Sequence, residues 1–109
     1  MMTFDDYQTE AIKTAIYPET MKIIYPSMGV SNEAGEVLGK IKKIIRDKAG
    51  VFSDSDKSDI AEELGDTLWY CGVLASDLGI PLSIIAERNL VKLQSRKERG
   101  VLGGSGDKR

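Results

Sequence analysis

Glu33-Ala34-Gly35-Glu36 and Glu63-Leu64-Gly65-Asp66 are the stretches whose reading decides the fold of this chain. Each places two carboxylates three residues apart, and residues at that spacing share one face of an α-helix. The residues around them repeat with helical spacing. Val30, Ala34, Val37, Leu38, Ile41, Ile44 and Ile45 fit one apolar stripe, and Ile60, Ala61, Leu64, Leu68, Cys71, Leu74, Ala75 and Leu78 fit another. No alternation typical of a strand explains either set. With Glu33 at zero on a helical wheel, the first stripe spans an arc of roughly 20° to 140° and Glu36 lies near roughly 300°. Glu63 and Asp66 hold matching positions on the second helix. Both acid pairs therefore line the shoulder of a buried stripe, where two packed helices would bring four carboxylates together.

Working outward, the sequence predicts four helices. The first runs from about Phe4 to Ile16, with Thr3 and Asp6 resembling a capping box. The second runs from near Ser27 to Lys48, after a connection bracketed by Pro18 and Pro26. A polar loop over residues 51 to 57 precedes a third helix capped by Ser58 and stopped at Gly79-Ile80-Pro81. The fourth runs from about Leu82 to Arg99, with Ile85, Ala86, Leu90 and Leu93 inward. The expected architecture is all-α, an antiparallel four-helix bundle-like fold over residues 1–100 with a flexible tail at 101–109. Glu36 sits roughly 18 Å before the end of its helix and Glu63 roughly 8 Å into the next. The loop can span that difference, so a hairpin can set the pairs face to face.

Four carboxylates at one spot repel strongly unless a cation lies between them. The chain has no histidine, so the expected ion is hard and oxygen-bound, Mg²⁺ or Mn²⁺. The metal candidates are Glu33, Glu36, Glu63 and Asp66. Glu62 competes with Glu63, but its wheel position is further from the core, which suits an outer acid or base. The competing account is a solvated face whose acids pair with lysines. Gly35 and Gly65 each sit between the acids of a pair, where a missing side chain either clears space or is simply tolerated. A calcium loop over residues 54–65 is excluded because Gly65 stands where the bidentate glutamate should be. A di-iron carboxylate bundle in its usual form needs histidine ligands.

Composition bounds the remaining classes. With 109 residues, 41% hydrophobic and 29% charged, the chain suits one domain with a modest core. A formal net charge of −2 gives no broad basic surface for duplex nucleic acid, which is not expected as a partner. No apolar run is long enough for a membrane span, and the first residues lack a secretory pattern. The single cysteine, Cys71, cannot form an internal disulfide and fits a reducing, cytoplasmic setting.

Three segments resemble the MazG-like all-α nucleoside triphosphate pyrophosphohydrolases, a superfamily that includes dimeric dUTPases and phosphoribosyl-ATP pyrophosphatases. They are Asn32-Glu33-Ala34-Gly35-Glu36-Val37, Ala61-Glu62-Glu63-Leu64-Gly65-Asp66-Thr67-Leu68-Trp69-Tyr70, and Asn89-Leu90-Val91-Lys92-Leu93-Gln94-Ser95-Arg96. The resemblance implies Mg²⁺-dependent hydrolysis of a (d)NTP between its α- and β-phosphates, giving a nucleoside monophosphate and pyrophosphate. It implies Glu33, Glu36, Glu63 and Asp66 as ligands, with Glu33, Glu36 or Glu62 in a catalytic role. It also implies a homodimer or homotetramer. Asn89, Lys92 and Arg96 share one stripe of the fourth helix and suit a phosphate tail; an exposed polar face is the competing account. Tyr70 could contact the sugar, Lys40 could approach phosphate or pair with Glu36, and Gln8 could read a base edge. Trp69 could lie in a subunit interface or stack on a base. The alternative function is a non-catalytic helical oligomerisation or interaction module.

Overall fold

The computed structural model describes residues 1–109. Its α-helices are α1 (Phe4–Ala11), α2 (Ile24–Lys48), α3 (Asp54–Asp77) and α4 (Leu82–Glu98), with short 3₁₀ turns at Ile12–Thr14 and Glu19–Met21 and no strand. The all-α expectation is met. The capping box at α1 forms as read: the Asp6 amide donates to Thr3 Oγ1 at 3.0 Å, and the Thr3 amide donates to Asp6 Oδ2 at 2.9 Å.

The boundaries differ from expectation for local reasons. The first α-helix stops at Ala11 rather than Ile16. The Ala11 carbonyl accepts from the Thr14 hydroxyl at 2.8 Å and from Trp69 Nε1 at 3.2 Å, which draws the chain into the tighter 3₁₀ turn. Helix α2 begins at Ile24, three residues before Ser27, because Pro26 sits in its first turn where a missing N–H costs nothing. Helix α3 begins at Asp54, so the expected loop over 51–57 shrinks. Its cap is Ser53, not Ser58: the Asp56 amide donates to Ser53 Oγ at 3.1 Å and the Ser53 amide to Asp56 Oδ2 at 2.9 Å.

Entry into α2 is strained. Ile23 has φ 69° and ψ −50°, and the Ile24 amide donates to the Lys22 carbonyl at 2.7 Å, a γ-turn centred on a β-branched residue. Asp77 at the end of α3 holds it. Its Oδ2 accepts from the Ile23 amide at 2.9 Å and from the Tyr17 hydroxyl at 2.7 Å.

Helices α2 and α3 form an antiparallel hairpin. Lys48 meets Asp56 at 2.7 Å, Lys40 meets Glu63 at 3.6 Å, and Gly29 lies against the Tyr70 ring. The earlier start of α3 puts Glu63 roughly 14 Å into its helix, close to the level of Glu36. Helix α1 packs across the far end of α3, with Tyr7 over Gly72. Helix α4 turns 102° away from α3. The chain therefore does not close a four-helix bundle by itself: α1 and α4 cover one end of the hairpin only.

This openness is visible in size and exposure. The radius of gyration is 16.8 Å, against about 13 Å for a compact domain of this length. Val73, Ala75, Ile44, Ala11 and Leu82 are buried, but Leu38, Leu64, Leu90 and Val91 are 56–70% exposed. Several residues read as inward, including Ala34, Leu38, Ile45, Leu64, Leu90 and Leu93, are thus uncovered in a single chain. No single helix is long and apolar enough to cross a membrane.

Candidate metal and phosphate site

At the middle of the α2–α3 seam, Glu33, Glu63 and Asp66 each direct one carboxylate oxygen to a common point, all within 4.8 Å of one another. Opposed ligands around a divalent ion at 2.1–2.4 Å lie about 4.2–4.8 Å apart, so the span suits one shared ion. The donor set is all oxygen, as a hard cation requires. The Glu33 carboxyl is held above its ordinary value by partial burial first, then by a hydrogen bond with Glu63 and the negative charge of Asp66, Glu63 and Glu36. Negative charge concentrated enough to raise the proton affinity of one member is what a cation relieves.

Glu36, one turn along α2, is exposed and stands outside this group. Glu62 is exposed as well. Lys40 does not make the expected intrahelical pair with Glu36. It reaches across the seam to Glu63, where it offsets one negative charge. Gly35 and Gly65 face open space, with nothing within 4 Å of a Cβ placed on either.

Aromatic side chains flank the acids. Tyr70 lies against Gly29, edge-on to Trp69 with ring centroids 5.0 Å apart and tilted against Tyr25 at 6.3 Å. Tyr25 in turn stacks on Tyr17 at 5.0 Å. Tyr70 follows Asp66 by one turn of α3 and lies against Gly29, one turn before Glu33 on α2, which places the ring beside the acid cluster. Burial raises its phenol, with Tyr25 next and the negative charge of Glu33 and Asp66 adding to it. Tyr25 and Gly29 escaped sequence reading. Tyr25 fell in the presumed connection, and nothing local marks Gly29 as the seat of a ring from another helix.

One reading is corrected. Gln8 does not face a nucleotide. It is buried, its Nε2 donates to the carbonyls of Gly72 at 3.2 Å and Ile80 at 3.0 Å, and its Oε1 accepts from the Leu82 amide at 2.8 Å. Every polar atom is used in tying α1 to the α3–α4 corner, so it is not a surface polar residue either. Trp69 directs its indole N–H inward, to Thr14 Oγ1 at 2.9 Å and the Ala11 carbonyl, joining α3 to the end of α1.

The stripe on α4 is divided. Asn89 is exposed. Lys92 pairs with Asp107 of the tail at 3.2 Å. Arg96 is only 6% exposed and also meets Asp107. Because α4 swings away from the hairpin and makes no substantial packing with α2, these cations and the acids belong to separate parts of the chain.

Residues 27–101 match the MazG nucleotide pyrophosphohydrolase domain, a span that contains both acid pairs and the α4 stripe. The Gene 37 protein of Mycobacterium phage L5 is 48% identical over 114 aligned positions, covering 99% of this chain and 100% of that protein. No solved structure matches the chain. On the family match, which takes in all three motifs, the chain belongs to the MazG nucleotide pyrophosphohydrolase family.

Proposed function

We propose that the chain is a Mg²⁺-dependent nucleoside triphosphate pyrophosphohydrolase, cleaving a (d)NTP between its α- and β-phosphates to a nucleoside monophosphate and pyrophosphate. The observation that carries this reading is the convergence of Glu33, Glu63 and Asp66 on one point within 4.8 Å, inside a family-matched segment. Mg²⁺, with Mn²⁺ as an alternative, would supply charge neutralisation at the phosphate oxygens and a lowered pKa for water. Glu33, Glu63 and Asp66 would hold it, and Glu36, exposed one turn along α2 and outside that group of three, would join them as the fourth acid. Lys40, already drawn to Glu63, is placed to exchange that carboxylate for a phosphate oxygen. Glu36 and Glu62, exposed and next to the cluster, are the carboxylates available to take a proton from water. Tyr70 forms the wall against which the nucleoside would rest.

We further propose that the working form is a homo-oligomer, a dimer first and a tetramer of two dimers second. The supporting observations are the exposed apolar stripe of Leu38, Ile45 and Leu64 along the hairpin and that of Leu90 and Val91 on α4. Patches of this kind are unusual on monomers. Association would also offer a route for Asn89, Lys92 and Arg96 to reach a partner's acids. The test is incubation with a panel of ribo- and deoxyribonucleoside triphosphates and Mg²⁺, with products resolved by ³¹P NMR. Monophosphate and pyrophosphate are expected, and release of orthophosphate would reject the mechanism.

A further inference from the structure

The C-terminal tail does not trail into solvent; it closes on α4. Lys92 Nζ lies 3.2 Å from Asp107 Oδ1, and Arg96 Nη2 donates to the Asp107 carbonyl and lies 3.5 Å from Oδ1. The tail is shaped for this. Gly100, Gly104 and Gly106 adopt φ of 69°, 84° and 94°, which side chains disfavour. The Arg109 guanidinium donates to the carbonyls of Val101, Leu102, Gly103 and Gly106, and Arg99 Nη2 donates to the Arg109 carbonyl at 2.9 Å. The loop so formed presents Asp107 to the cations.

The fit is incomplete. Arg96 is buried, yet its Nε has no partner. A buried donor left idle is costly, and a guanidinium fork is matched by an anion with several oxygens. Asp107 engages one edge of that fork, and its own carboxylate is 81% exposed, so it is held weakly. The segment also begins where the family match ends, at residue 101.

We infer that Lys92 and Arg96 form an anion site on α4 whose resident occupant is the chain's own Asp107, and that a phosphate group must displace this latch to bind. The inference rests on the phosphate role proposed for the two cations and adds a regulatory element to it. In the closed form the tail competes with substrate; in the open form Arg96 Nε gains the acceptor it lacks.

The test is titration of the full chain with inorganic pyrophosphate in EDTA, followed by backbone amide NMR and calorimetry. In the wild type, the amide signals of Gly103 to Asp107 should move along the binding isotherm. Asp107→Asn and Asp107→Ala should bind pyrophosphate about three- to fivefold more tightly, the range that loss of an exposed ion pair allows. Lys92→Ala should weaken binding in both backgrounds. Unchanged affinity in both Asp107 variants, tail signals that ignore the ligand, or no metal-free binding at all would each overturn the latch. Failure of nucleotide turnover with an intact displacement would reject the hydrolase reading alone; normal turnover with a silent tail would reject the latch alone.

Discussion

Replacing Gly29 by alanine should destabilise the protein, although the same change at Gly35 or Gly65 should stabilise it. All three glycines lie inside long helices, where alanine is favoured by about 1 kcal/mol. At Gly35 and Gly65 a new Cβ meets nothing within 4 Å, so that gain should appear in full. At Gly29 the Cβ would lie 2.1 Å from Tyr70 Cε1, 2.2 Å from Cδ1 and 2.6 Å from Cγ. To restore a 3.4 Å contact the ring must retreat by about 1.3 Å, the difference between 3.4 and 2.1. A ring cannot swing away like the tip of a lysine. Overpacking of this kind costs about 1–3 kcal/mol, and loosening the contacts with Trp69 and Tyr25 adds about 0.5–1.5 kcal/mol. Set against the helix gain, the net is a loss of about 0.5–3.5 kcal/mol. Urea denaturation followed by far-UV circular dichroism measures all three variants. Displacing Tyr70 should also raise the KM for nucleotide, because its ring flanks the acids. A Gly29→Ala protein as stable as Gly35→Ala, with an unchanged KM, would refute the packing of Tyr70 on α2.

Glu63→Ala and Asp66→Ala should each lower Mg²⁺-dependent turnover by at least about a hundredfold while leaving helicity intact; Glu36→Ala should lower turnover but retain more of the Mg²⁺-induced rise in Tm, as thermal melts with and without the ion will show. Glu33 binds its proton more tightly in the folded chain than its ordinary value of 4.5, so without metal its contribution favours the fold at low pH and is lost as pH rises through the raised value. Mg²⁺ competes for the same oxygens, so the Tm gain from the ion should grow over that window, and Glu33→Gln should flatten both trends. Gln8→Ala strands the Leu82 amide and the Ile80 carbonyl and removes a second donor from the Gly72 carbonyl, and should cost about 2–3 kcal/mol in denaturant melts without altering the order of preference among nucleotides.

What could be read in the sequence was whatever lies within one helix. The spacing of Glu33 and Glu36, and of Glu63 and Asp66, predicted faces that do meet, and Thr3 with Asp6 predicted a cap that forms. Ser53-Asp54-Ser55-Asp56 carries an equally local signal, a capping box with Asp at its fourth position, and it is this box that shortens the loop. Contacts between distant residues were hidden. The three bonds of Gln8 depend on where the α3–α4 corner falls, and the seat of Tyr70 on Gly29 depends on hairpin register. The periodicity of α4 was sound, but an apolar stripe states only that something covers it, not that the same chain does. Leu90 and Val91 remain open for that reason. Asp107 lay in a tail whose glycines read as freedom, yet their positive φ values let the chain turn back onto Lys92 and Arg96.

The central claim is that the carboxylates of Glu33, Glu63 and Asp66 hold a divalent cation between α2 and α3. Titration with Mn²⁺, read by electron paramagnetic resonance of the free ion alongside calorimetry, addresses it without reference to any substrate. The account predicts saturable uptake by the wild type, competed by Mg²⁺ and lost in Glu63→Gln and Asp66→Asn proteins of unchanged helicity. Uptake of equal strength in those variants, or none in the wild type at millimolar ion, would contradict it.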